Sequence, residues 1–288
     1  MTNFSFDHVL VLGAGTMGRG IAQVAAATGS RVTLIDADET RARAAHDAIA
    51  QSLERAVAKG KVAAPERQRI LDAIRPSSDL DGAAVEADVV VEAVPEKIEI
   101  KRAIFARLGA LCPSHALLGS NTSSLSIASI AEDCPAPERL VGLHFFNPVP
   151  VMALIEIVHA PKTAQQTVDA AIAFSLRLGK DPILVRDSPG FATSRLGVLL
   201  GLEAMRMVEE EVASAADIDK AMKLGYRHPM GPLELTDLVG LDVRLAIAQH
   251  LHRELGSETF RPPAILERMV AEGKLGKKSG QGFYNYDA

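Results

Sequence analysis

Residues 8–12, a β-branched and leucine-rich run, lead without interruption into Gly13-Ala14-Gly15-Thr16-Met17-Gly18, and helical periodicity begins near Thr16. Few folds accommodate a strand, a Gly-x-Gly-x-x-Gly turn and a helix in immediate succession. The three glycines act differently. Gly13 allows a sharp turn, Gly15 lets backbone N–H groups approach a ligand, and Gly18 lets the helix pack closely. The helix start offers unpaired N–H groups and a partial positive charge, which suit a pyrophosphate. A second strand, 31–35, ends at Asp36, where a carboxylate can receive both hydroxyls of an adenosine ribose. A 2′-phosphate there would meet a like charge, so the pattern predicts NAD rather than NADP. Within this site Gly13, Gly15, Thr16, Met17, Gly18 and Asp36 are the expected cofactor contacts.

The 288 residues, 48% of them hydrophobic, suffice for two domains. Strands are expected at 8–12, 31–35, 88–94, 116–120, 140–145, 153–158 and 182–186. Helices are expected at about 16–28, 39–59, 65–74, 97–111, 124–132 and 163–178. This alternation predicts an α/β fold: an N-terminal Rossmann-type, mainly parallel sheet over 1–187. From Pro189 helical periodicity takes over to about residue 272, predicting a smaller all-α C-terminal domain over 188–288. Its helix at 191–212 is apolar around much of its circumference, with Gly197 and Gly201 four apart. That suits burial within one subunit or packing against a second copy.

A formal charge of −5 gives no general attraction to nucleic acid or to an anionic membrane. No apolar stretch reaches the roughly 18 residues of a bilayer span, and the N-terminal stretch does not read as a signal peptide. Cys112 and Cys134 lack metal-ligand spacing and suggest reduced thiols in the cytoplasm. No metal is expected.

Three segments carry reaction chemistry: 119–125, 142–150 and 154–158. His144 ends a strand that turns through Asn147 and Pro148, and Glu156 lies on the returning run. Such a return can set a carboxylate against an imidazole, fixing its tautomer and raising the basicity of the other ring nitrogen. Ser123 lies just past a strand's carboxyl end, where ligands bind in open α/β sheets. Taken singly, each also has an ordinary structural reading: a core histidine, a paired buried glutamate, a helix-capping serine.

With these segments on view, the chain resembles the 3-hydroxyacyl-CoA dehydrogenase family, in particular its bacterial 3-hydroxybutyryl-CoA dehydrogenases. The likeness spans nearly the whole length: GAGTMG at 13–18, NTSS at 121–124, HFFNPVP at 144–150, DSPGF at 187–191, GPLELTDLVGLD at 231–242 and GKKSGQGFY at 276–284. It implies NAD-dependent oxidation of an L-3-hydroxyacyl-CoA, with His144 as base, Glu156 orienting it and Ser123 bonding the substrate oxygen. It also implies that Glu92, Lys97, Asn147 and Lys278 line the cofactor, and that the substrate lies in a cleft formed with the C-terminal domain, whose apolar 191–212 helix suggests a homodimer. The family usually has Asn before the arginine that follows its Pro-Gly-Phe segment; here Ser194 precedes Arg195, and a hydroxyl lacks the amide's two N–H donors.

On the helix at 39–59, Gln51, Arg55 and Lys59 recur every four residues. By pattern alone they form a solvated face or a phosphate contact. The resemblance favours coenzyme A. Two rival functions remain at this level: a dehydrogenase of a free hydroxy acid or sugar acid, and a non-catalytic NAD(H)-binding protein.

Overall fold

The structure is a computed structural model that describes residues 4–286; the first three residues of the N-terminal stretch read for a signal peptide lie outside it. The chain divides into two units, residues 1–188 and 189–288.

The first unit runs β1 (His8–Leu12), α1 (Thr16–Ala27), β2 (Arg31–Ile35), α2 (Glu39–Ala58), α3 (Ala64–Asp72), β3 (Ile74–Ser77), α4 (Leu80–Ala84) and β4 (Val89–Glu92). It continues with α5 (Ile98–Leu111), β5 (Leu117–Ser120), α6 (Ile127–Ile130), β6 (Leu140–Phe145), β7 (Leu154–His159), α7 (Gln165–Arg177) and β8 (Asp181–Arg186). The eight strands form one sheet in the order β3-β2-β1-β4-β5-β6-β7-β8. Every pairing is parallel except β6 with β7.

All five residues of β1 and all four of β4 are buried, as expected of central parallel strands covered on both faces. Strand order reverses between β1 and β4, which opens a crevice at their carboxyl ends. Helix α2 starts at Asp38, whose carboxylate accepts the Thr40 N–H at 2.8 Å. It buries Ala42, Ala45, Ile49 and Leu53 and leaves Gln51, Arg55 and Lys59 exposed.

Three elements differ from the sequence expectation. Strand β3 is an edge strand of four residues with one buried side chain and a proline, so it carries no alternating signal. Helix α4 is only five residues long, with Asp79 accepting the Gly82 N–H. The helix expected at 124–132 contracts to α6 because Thr122 Oγ1 accepts the Leu125 N–H and Ser126 caps the start instead.

The second unit is helical: α8 (Thr193–Glu209), α9 (Ala215–Gly225), α10 (Pro232–Val239), α11 (Leu241–Leu255) and α12 (Ala264–Ala271). Val198, Leu202, Met205, Leu233, Leu241, Leu251 and Leu266 lie in its core. Asp237 accepts the N–H groups of Phe283 and Tyr284, each at 2.9 Å, and so ties the C-terminal segment to α10. Among the described residues no helix is long and apolar enough to cross a membrane.

Candidate active site

A cavity of about 800 Å³ lies at the β1–β4 reversal, walled by Gly13, Gly15, Thr16, Met17, Asp36, Arg41 and Ala93 to Pro95. Gly13 has φ +97°, and a Cβ there would stand 2.4 Å from the Ala93 carbonyl oxygen. A Cβ on Gly18 would stand 1.7 Å from the Gly13 carbonyl oxygen, so Gly18 lets α1 close on its own turn instead of lining the cavity. Helix α1 begins at Gly15 with no side-chain cap, leaving its first-turn N–H groups to a ligand. Asp36 Oδ2 accepts the Ala14 N–H at 3.0 Å, and Arg41 approaches Oδ1 at 3.8 Å. An uncapped helix start at one end of the cavity and a carboxylate at the end of β2 fit NAD.

Met17, Ala93 and Val94 also line a second cavity of about 370 Å³, together with Glu96, Asn121, Ser123, His144, Phe146 and Asn147. His144 and Glu156 are register partners across the antiparallel β6–β7 pair, so their side chains share one face. Nδ1 of His144 lies 2.7 Å from Glu156 Oε2, with Glu156 fully buried. The Phe146 ring is tilted against the imidazole at 4.5 Å between centroids.

Ser123 is held from its backbone. Glu96 Oε1 accepts the Ser123 N–H at 3.0 Å and the Thr122 hydroxyl at 2.5 Å. Its other oxygen lies 3.2 Å from the Lys101 ammonium. Burial alone would raise the Glu96 pKa, but Lys101 and the hydrogen bonds from Thr122 and Ser123 outweigh it and hold this carboxyl below the usual range. Lys101 also donates to Glu92 Oε1 at 2.6 Å, and Ser120 donates to Glu92 Oε2 at 2.7 Å. Removing one partner of such a buried pair typically costs about 3–5 kcal/mol.

This network sets Glu92 and Lys97 apart from the cavity walls. Glu92 is wholly buried beneath the site, Lys97 is exposed at the N-cap of α5, and neither lines these cavities. The chain contains two Glu-x4-Lys pairs in overlap, Glu92/Lys97 and Glu96/Lys101, and the second reaches the site. The family resemblance selects the first, whose glutamate is the last residue of β4. Glu96 is two residues before α5 and Lys101 is one turn inside it, a displacement that spacing alone does not reveal.

A third cavity, also about 370 Å³, is a groove between α2 and the turn after β6. Thr16, Arg19, Gln51, Ser52 and Arg55 form one side, and Asn147 to Pro150 the other. Lys59, the C-cap of α2, is not on its wall. In the helical unit Ser194 lies in the first turn of α8, and Lys278 donates to Asp242 Oδ1 at 2.5 Å. No group of three or more His, Cys, Asp or Glu among the described residues could hold a metal ion.

A doubly wound sheet with a dinucleotide cavity and an adjoining His–Glu pair defines the class: an NAD-dependent oxidoreductase. The family follows from comparison. Residues 8–188 match the 3-hydroxyacyl-CoA dehydrogenase NAD-binding domain, and residues 190–286 match the C-terminal domain of the same family. The chain belongs to the 3-hydroxyacyl-CoA dehydrogenase family. It is 45% identical to the mitochondrial hydroxyacyl-coenzyme A dehydrogenase of Sus scrofa over 97% of this chain and 91% of that protein. It is 42% identical to the probable 3-hydroxybutyryl-CoA dehydrogenase of Bacillus subtilis, covering 97% of each. The crystal structure of (S)-3-hydroxybutyryl-CoA dehydrogenase from Ralstonia eutropha superposes with a TM-score of 0.94 at 38% identity, covering 99% of this chain and 100% of that one.

Proposed function

We propose that this chain interconverts short-chain L-3-hydroxyacyl-CoA, 3-hydroxybutyryl-CoA in particular, and the 3-oxoacyl-CoA, with His144 as the general base. The observation that carries this reading is the 2.7 Å contact between His144 Nδ1 and the buried Glu156 carboxylate. With Nδ1 bonded to Glu156, Nε2 takes up the hydroxyl proton, and Glu156 stabilises the imidazolium that results. Ser123, on the same cavity wall, donates to the substrate oxygen and steadies its charge as the carbonyl forms. NAD, when bound, accepts the hydride leaving the same carbon.

The groove beside α2 takes the phosphate-bearing part of coenzyme A. Arg19 and Arg55 supply charge and Gln51 supplies amide donors, across from the turn that follows His144. Gly13, Gly15, Thr16, Met17 and Asp36 hold the dinucleotide, with Gly18 supporting the turn. Asn147 and Lys278 are assigned to the cofactor, and Ser194 to the substrate, by their positions in the family motifs. Helix α8 leaves Leu196 and Leu200 exposed at 61% and 42%, an apolar face suited to a homodimer through the helical unit. Cys112 and Cys134 are buried free thiols, in keeping with a reducing cytoplasm.

Loss of NADH absorbance with acetoacetyl-CoA, and none with free acetoacetate, is the expected result. Equal turnover of both would transfer the activity to a free hydroxy acid and leave the α2 groove without a role.

A further inference from the structure

Lys180 stands in the turn between α7 and β8 and is 8% exposed. Its Nζ donates to the Val149 carbonyl at 2.6 Å and to the Met152 carbonyl at 2.8 Å. Among the described residues these two carbonyls are its hydrogen-bond acceptors, and no carboxylate pairs with it. Burial holds its pKa below the usual lysine value. An ammonium is costly to bury, and an apolar side chain of similar length would fill the same space, so stability alone gives it little reason to be there.

What Lys180 grips is the turn that joins the two halves of the site. Val151 and Met152 donate their N–H groups to the Pro148 carbonyl at 2.9 and 3.0 Å, closing a tight return between β6, which carries His144, and β7, which carries Glu156. Val149 is buried against α1, where a Cβ added to Gly20 would meet the Val149 Cβ at 2.7 Å. Asn147 to Pro150 form the groove wall opposite Gln51 and Arg55. The next residue continues the clamp: the Asp181 N–H donates to the Ala153 carbonyl at 2.8 Å, starting the β7–β8 pairing.

We propose that Lys180 is a positioning residue, whose buried ammonium pins the Val149–Met152 turn and so sets where the phosphate-bearing end of the acyl-CoA lies relative to His144. The inference rests on the reading of the α2 groove as the coenzyme A site. Lys180 touches neither substrate nor cofactor; it acts through two backbone carbonyls.

The test compares acetoacetyl-CoA with acetoacetyl-pantetheine, which has the same reacting carbon but lacks the nucleotide phosphates. In Lys180→Met the released turn displaces the groove wall, so the KM for acetoacetyl-CoA rises about tenfold while the KM values for acetoacetyl-pantetheine and NADH stay within about twofold of wild type. A purely structural role would lower the melting temperature and leave that split unmoved. Equal changes for both thioesters, or no change in either, would overturn the proposal. If Lys180→Met does not fold, Lys180→Gln, with two donors on a shorter neutral arm, is read for the same split. Failure of both to fold would make Lys180 a folding residue and overturn the proposal as well. Arg55→Glu is run in parallel. If it too fails to separate the two thioesters, the groove reading falls; if it separates them and Lys180→Met does not, only the Lys180 assignment falls.

Discussion

The Glu96 carboxylate accepts the Ser123 backbone N–H at 3.0 Å through one oxygen and faces the Lys101 ammonium at 3.2 Å through the other. A residue before α5 thereby fixes the serine that shares a cavity wall with His144. Glu96→Gln keeps the shape and loses the charge, so kcat/KM with acetoacetyl-CoA should fall about tenfold while NADH affinity changes little. Unchanged kcat/KM would show that the 121–124 loop holds itself.

The same carboxyl gives a pH dependence with a defined sign. Its folded pKa lies below the ordinary 4.5, so its contribution to stability is present above that value and is lost as pH falls through it toward the folded pKa. Thermal melts between about pH 7 and about pH 3 should show wild type losing stability more steeply than Glu96→Gln in the acid range. Parallel curves would contradict the assignment.

Cofactor choice is predicted to depend on Asp36 and Arg41. Removing the carboxylate in Asp36→Ser takes away the ribose acceptor and leaves Arg41, now 3.8 Å from Asp36, to meet a 2′-phosphate. NADH KM should rise about tenfold and NADPH turnover should become measurable. Continued exclusion of NADPH would mean that the cavity discriminates elsewhere.

A charge on the exposed face of α8 tests the proposed homodimer. Leu200→Glu should give a monomer by light scattering at concentrations where wild type is a dimer. Wild type that is itself monomeric would remove the interface altogether.

Ser194 stands where the family resemblance leads one to expect an asparagine. If its hydroxyl contacts substrate, Ser194→Ala should lower kcat/KM by about threefold to tenfold, with Ser194→Asn recovering the loss. Two silent variants would exclude the position from the site.

Much of this was legible in the sequence for physical reasons. The strand-turn-helix at 8–28 announces itself because two of its three motif glycines have no alternative there: Gly13 needs positive φ and Gly18 has no space for a Cβ. His144 and Glu156 could be paired in advance because a short return between two apolar strands sets opposed residues on one face. What stayed hidden depends on tertiary contact. Strand β3 exists because β2 offers it an edge, since its own four residues have little β pattern. Glu96 meets Thr122 and Ser123, and Lys101 meets Glu96, only in three dimensions, and the overlapping Glu92/Lys97 spacing conceals them. Lys180 lies outside the motif segments that carry the chemistry and reaches the turn after β6 only in three dimensions.

The decisive measurement is kcat for acetoacetyl-CoA reduction by His144→Gln, with NADH binding followed by fluorescence on the same sample. A fall in kcat of about 10²–10⁴ with NADH affinity retained is the expected result. An unchanged kcat would contradict the proposed chemistry, because His144 would then not be the group that exchanges the substrate's proton.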